Sequence, residues 1–305
     1  MKKIGISTYQ LQRKYGDLKA LEIAKDIGAD AVDFDLCQVN NDYRNAGSLY
    51  SQGKSAIKDY YTMVKDKADS LGLIISQTHG KLEGLKDIQE DDDALMKNLE
   101  LDIFATSVLN APVCVIHTST TIFLGPDAPP DKMHSLNYKL FTDLLPLAKQ
   151  HGVKIATETF GDAVRFNCCD FFGNTDEFIK GYKAVKTSPL GEWFTVCVDT
   201  GHSNKATRFG NPSPADVIRM VGNDISVLHL NDNDTVTDQH KPPLTGSIDW
   251  TDVLDALDEV GYDGVYNMEI SLNCFGDELM TDTAQLSVKI LRNLLNKRQM
   301  SKNLS

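Results

Sequence analysis

The chain has 305 residues, of which 41% are hydrophobic and 24% charged, with a formal net charge of −12. This is the composition of a globular protein with a sizeable core, and its acidic balance argues against nucleic acid as the main partner. No apolar run approaches the ~20 residues needed to span a bilayer.

The opening residues, Met1-Lys2-Lys3-Ile4-Gly5-Ile6, read as a strand rather than a secretory signal. A cytoplasmic protein with no membrane partner is therefore expected. Short β-rich runs then recur at residues 3–8, 31–36, 73–79, 112–117, 153–158, 194–199, 225–230 and 264–270. Helical periodicity fills the intervals. Ala20, Leu21, Ala24 and Ile27 share one face, and Gly28 follows as a stop. Val64, Ala68 and Leu71 precede Gly72 in the same way, and Gly152 and Gly261 close two further helices. Ser213-Pro214-Ala215-Asp216 has the form of a capping box with proline at the first helical position.

Eight strands alternating with helices, with no linker or shift in composition, predict one (β/α)8 TIM barrel, an α/β fold, over residues 1–297. A polar C-terminal tail is expected at 298–305. Most strand runs are continuously apolar, as in a parallel sheet covered on both faces. A doubly wound open sheet fits less well, since eight repeats run uninterrupted and no GxGxxG follows the first strand. Segments 38–52, 119–132 and 160–173 read as long loops at the C-terminal rim, where a barrel keeps its active site. Gly53-Lys54-Ser55 has the spacing of a helix start and not of a phosphate-binding loop. The six cysteines form no CxxC pair, and Cys114 and Cys197 lie in apolar strands, so free thiols are expected.

The polar residues at the strand ends are the informative feature. His79, His117, His202 and His229 each fall at the end of a predicted strand or within three residues of it, and His240 follows in the loop after strand seven. Glu158, Asp199 and Glu269 stand at the ends of strands five, six and eight. One such histidine is ordinarily a packing residue and one such acid a helix cap. Three carboxylates and several imidazoles on one rim are costly unless paired or bound to metal. Mixed imidazole and carboxylate ligands suit Zn²⁺, Mn²⁺ or Co²⁺, and carboxylate-rich sets suit Mg²⁺ or Mn²⁺.

Val198-Asp199-Thr200-Gly201-His202, His229-Leu230-Asn231-Asp232-Asn233, Asp238-Gln239-His240, Gly246-Ser247-Ile248-Asp249-Trp250 and Glu269 carry a resemblance along nearly the whole chain. It is to the xylose isomerase-like barrels, which include sugar isomerases and epimerases, inosose dehydratases and endonuclease IV. The resemblance implies one divalent ion (Mn²⁺, Mg²⁺, Co²⁺ or Zn²⁺) on Glu158, Asp199, His229 and Glu269, with no organic cofactor. It implies Glu158 and Glu269 as the proton-transfer pair of a sugar isomerase or epimerase working through a metal-stabilised enediolate. His79, His117, His202, Asp238 and His240 would contact substrate, or would be further ligands if the site is multinuclear as in endonuclease IV. The strand-seven arginine of the ketose epimerases has no counterpart after His229. A dehydratase using the same site, and a zinc phosphodiesterase, are the alternatives. The implied partner is a small carbohydrate, and the family's dimers and tetramers leave a homo-oligomer open.

Overall fold

The computed structural model describes residues 2–38 and 41–304, with side chains as far as Met300. Val39 and Asn40, in the first expected rim loop, lie outside the described residues.

Eight parallel strands form the barrel: β1 (Ile4–Ser7), β2 (Ala31–Asp35), β3 (Ile74–His79), β4 (Val113–Ile116), β5 (Lys154–Glu158), β6 (Phe194–Asp199), β7 (Ile225–His229) and β8 (Tyr266–Met268). The spatial order is β8-β1-β2-β3-β4-β5-β6-β7. The ring closes between β7 and β8 through a parallel bridge from Leu230 to Met268. There Leu230 N donates to Asn267 O at 2.8 Å, and Glu269 N to Leu230 O at 3.2 Å.

Among the described residues eleven helices accompany the strands: α1 (Tyr9–Tyr15), α2 (Asp17–Asp26), α3 (Lys54–Leu71), α4 (Gln89–Val108), α5 (Thr121–Leu124), α6 (Pro130–His151), α7 (Thr175–Lys186), α8 (Thr200–Ala206), α9 (Pro214–Val221), α10 (Trp250–Glu259) and α11 (Met280–Leu304). The expected stops hold. Gly72 and Gly152 cap α3 and α6 in the left-handed conformation, and the Ser213 side chain accepts from Asp216 N to start α9. Lys54 opens α3, directly after Gly53, as a helix start requires. α11 carries helix through the polar segment to Leu304, and Arg298 pairs there with Asp255 and Asp258 of α10. The six cysteines are free, and burial pushes the Cys114 and Cys197 thiols up to about 12.

Part of the barrel interior below the rim is apolar. Val113, Val115, Ala156, Cys197 and Val227 make a small inner cluster, separate from the larger core between strands and helices. Side chains two residues apart on a strand share a face. Val115, Ala156, Cys197 and Val227 thus set the inward direction of His117, Glu158, Asp199 and His229. The same period of two that builds the core delivers the polar groups to one mouth.

Candidate metal centre

Glu158 is the hub. Its carboxylate is 1% exposed, and four imidazoles surround it. His79 Nε2 and His117 Nε2 face Oε2 at 3.5 and 3.1 Å, while His202 Nδ1 and His229 Nδ1 face Oε1 at 3.2 Å each. Glu269 Oε2 lies 3.3 Å from the same His229 Nδ1. Ligand atoms of Glu158, Asp199, His229 and Glu269 all come within 4.8 Å of one another. Two further groups satisfy that limit, His79 with Glu158 and His229, and His202 with Asp238 and His240. All nine residues singled out at the strand ends and in the β7–α10 loop therefore meet at the C-terminal mouth.

The tautomers are set from outside the cluster. His79 Nδ1 lies 3.0 Å from Gly80 O, His117 Nδ1 3.2 Å from Leu82 O, and His240 Nδ1 3.0 Å from Glu269 O. A proton held on each Nδ1 leaves the Nε2 lone pair pointing into the site. His229 is reversed: its Nε2 donates to Asp33 Oδ2 at 2.9 Å, so Nδ1 faces the carboxylates. Gln77 flanks this pair, its amide nitrogen 3.1 Å from His229 Nε2 and 3.3 Å from Asp33 Oδ2.

A bare imidazole nitrogen and a carboxylate oxygen are both acceptors, and a positive charge is needed between them. His229 Nδ1 and Glu158 Oε1 are buried without a hydrogen-bond partner. That is the signature of a site whose donors fit a divalent ion, with oxygen and nitrogen ligands suited to the first-row metals. Without an ion, protons fill the gap. Burial opposes charge on His79, His202 and His240, yet Glu158, Asp199 and Asp238 respectively outweigh it. His79 and His240 are pushed up to about 9 and His202 well above the ordinary histidine range. Burial acts on Glu158 too, but its histidines, His229 foremost, hold it well below the usual carboxylate range.

Sequence reasoning missed the residues that orient the ligands. Asp33 sits mid-strand in the β2 run Ala31-Val32-Asp33-Phe34-Asp35, where two acids spaced two residues apart in a buried strand were the available signal. Asn231 Nδ2 donates to Asp199 Oδ2 at 2.8 Å, and Asp199 Oδ1 accepts from His202 N at 2.6 Å as the cap of α8. Gly201 is required here: a Cβ on it would lie 1.8 Å from Asn231 Oδ1. Asp232 accepts from Trp250 Nε1 at 2.8 Å and from Ile248 N at 3.2 Å. The Gly246-Ser247-Ile248-Asp249-Trp250 segment is thereby tied down beneath the mouth.

A parallel eight-stranded barrel with acids and imidazoles gathered at the C-terminal strand ends defines the class: a TIM barrel with a metal-type site. The chain belongs to the xylose isomerase-like TIM barrel family, whose model matches residues 21–293. Among curated proteins it is 30% identical over 135 residues to the uncharacterized protein MJ1311 of Methanocaldococcus jannaschii, which is 44% of this chain and 42% of that one. The chain thus spans less than half the length of this relative. A D-tagatose 3-epimerase-like protein has the same fold at TM-score 0.73 and 19% identity, over 99% of this chain and 100% of that one. The IOLI protein, solved with a zinc atom, aligns at TM-score 0.68 and 16% identity over 95% of each chain. No helix among the described residues is long and apolar enough to cross a membrane.

Proposed function

We propose that the protein is a divalent-metal-dependent isomerase or epimerase of a sugar or sugar-derived keto compound. The observation that carries this is the pair of orphaned buried atoms, Glu158 Oε1 and His229 Nδ1, inside the Glu158–Asp199–His229–Glu269 quartet. A bound ion (Mn²⁺, Mg²⁺, Co²⁺ or Zn²⁺) would supply Lewis-acid polarisation of adjacent carbonyl and hydroxyl oxygens, lowering the cost of an enediolate. Glu269, 24% exposed, is the carboxylate a substrate reaches directly and is the first candidate for the proton on carbon. Glu158 lies deeper, and its Oε2 meets the half-buried His117, through which a proton can be returned. His117 and His202 flank Phe160, with ring centroids 5.1 and 6.0 Å away. They offer ring nitrogens to substrate hydroxyls on either side of an apolar wall. The D-tagatose 3-epimerase-like protein of the same fold, and the zinc atom of IOLI, support the reading.

The test is solvent-deuterium incorporation into a panel of ketoses and keto-inositols, read by mass spectrometry with and without added ion. Exchange at carbon that needs the ion and is abolished by Glu269→Gln is the expected result. An ion-loaded protein that exchanges no proton in any member counts against it. A new ultraviolet-absorbing enone from a keto-inositol would instead assign a dehydratase on the same site.

A zinc phosphodiesterase similar to endonuclease IV is a second reading, favoured by one observation: His79 with Glu158 and His229, and His202 with Asp238 and His240, make two further ligand groups, and His117 Nε2 stands 3.1 Å from Glu158 Oε2. The net charge of −12 opposes a polyanionic substrate. Cleavage of an abasic-site duplex would establish it.

A further inference from the structure

The three ligand groups differ in what else touches their carboxylates. Among the described residues, Glu158, Asp199 and Glu269 have only imidazoles as charged partners. Asp238 does not. Lys205 Nζ stands 3.6 Å from Asp238 Oδ1, while Oδ2 faces His240 Nε2 at 3.4 Å and His202 Nε2 at 3.6 Å.

Lys205 is a fixture of the fold. It follows His202 by three residues on α8, so the two side chains leave the helix on the same side. Its side chain is 3% exposed, and Nζ is held at 2.6 Å by Asp162 Oδ1. A buried ammonium keeps its charge only with anionic partners. Arg208 also pairs with Asp162, its Nη2 2.9 Å from Oδ2. Two cations therefore share the single charge of Asp162, and the surplus positive charge faces Asp238.

We infer that Lys205 takes the place of a metal ion at the His202–Asp238–His240 group, so that this group holds no divalent ion while the quartet does. An ion there would sit on one carboxylate already shared with a fixed ammonium, between two imidazoles that bring no charge. The quartet offers three carboxylates and no lysine or arginine. Left without an ion, the third group is a rigid set of imidazoles facing the mouth, braced by Asp238 and available to substrate oxygens. The inference rests on the quartet being a metal site.

The experiment is the zinc content of the full chain after equilibration with Zn²⁺ and removal of free ion, for wild type and three variants. Asp238→Asn is expected to leave the count unchanged. Lys205→Met, which frees Asp238, is expected to gain one ion per chain. Asp199→Asn, expected to lose an ion, reports the quartet separately. Loss of one ion in Asp238→Asn would overturn the inference, as would a folded Lys205→Met with no gain. If Lys205→Met does not fold, the Asp238→Asn count decides alone. An unchanged count in Asp199→Asn would instead remove the reading of the quartet on which the inference rests.

Discussion

Asp33→Asn isolates the support of the site from its ligands. Asp33 is fully buried, and its Oδ2 accepts the Nε2 proton of His229 at 2.9 Å. That bond places the proton of the neutral ring on Nε2 and turns Nδ1 toward Glu158 and Glu269. The carboxylate charge also makes the imidazole a stronger donor to metal. Asparagine keeps the volume and one acceptor oxygen but removes the charge. It can also present its NH₂ to Nε2, which would favour the wrong tautomer. Losing an outer partner of a metal-bound histidine typically costs about 10–100-fold in affinity, or about 1.4–2.7 kcal/mol. Competition with a chelator of known affinity, at fixed pH, measures this directly. Circular dichroism on the same samples checks the fold. A folded Asp33→Asn protein that holds zinc as tightly as wild type would refute the claim that His229 is a ligand through Nδ1.

Glu158→Gln and Glu269→Gln are each expected to abolish proton exchange at carbon while the chain stays folded; near-normal turnover in either would exclude that residue as a proton carrier. Gly201→Ala should weaken metal binding and destabilise the fold by about 1–3 kcal/mol, because its Cβ collides with Asn231, which orients Asp199; denaturant melts and zinc content check both. The metal-free protein should lose stability with rising pH: His79 and His240 are raised to about 9, so their contribution is complete below the ordinary histidine value of about 6.5 and gone above 9. An ion on Glu158 removes the charge that sustains the His79 proton, so zinc binding near neutral pH should release protons, seen as a buffer-dependent heat in calorimetry. Ser213→Ala, which touches none of the nine site residues, should cost about 1 kcal/mol through loss of the α9 cap and leave metal affinity untouched.

The strands, the helix stops and the ring of acids and histidines could be read from the chain because each is a local pattern. A run of apolar residues, a glycine after a helical stripe and a charged residue ending a strand need no knowledge of what lies opposite. The strand limits agree to within one residue or so, except at β8. There the hydrogen bonds of Leu230, which lies just beyond β7, close the ring and leave Glu269 past the end of the strand. What could not be read is the pairing across the barrel. Asp33 meets His229 from 196 positions away, and Asn231 reaches back 32 positions to Asp199. Lys205 resembled any lysine in a short helix until Asp162 and Asp238 closed on it. The Asn231-Asp232-Asn233 run, polar in sequence, is buried, and its side chains serve as scaffold.

The central claim, that Glu158, Asp199, His229 and Glu269 hold a divalent ion, is tested most directly by elemental analysis of protein purified without added metal or chelator. The quartet should retain about one ion per chain, manganese, cobalt, magnesium or zinc, and an Asp199→Asn, Glu269→Gln double variant should retain none there. A wild-type protein with no ion, and none taken up on titration with Mn²⁺ or Zn²⁺, would contradict the account.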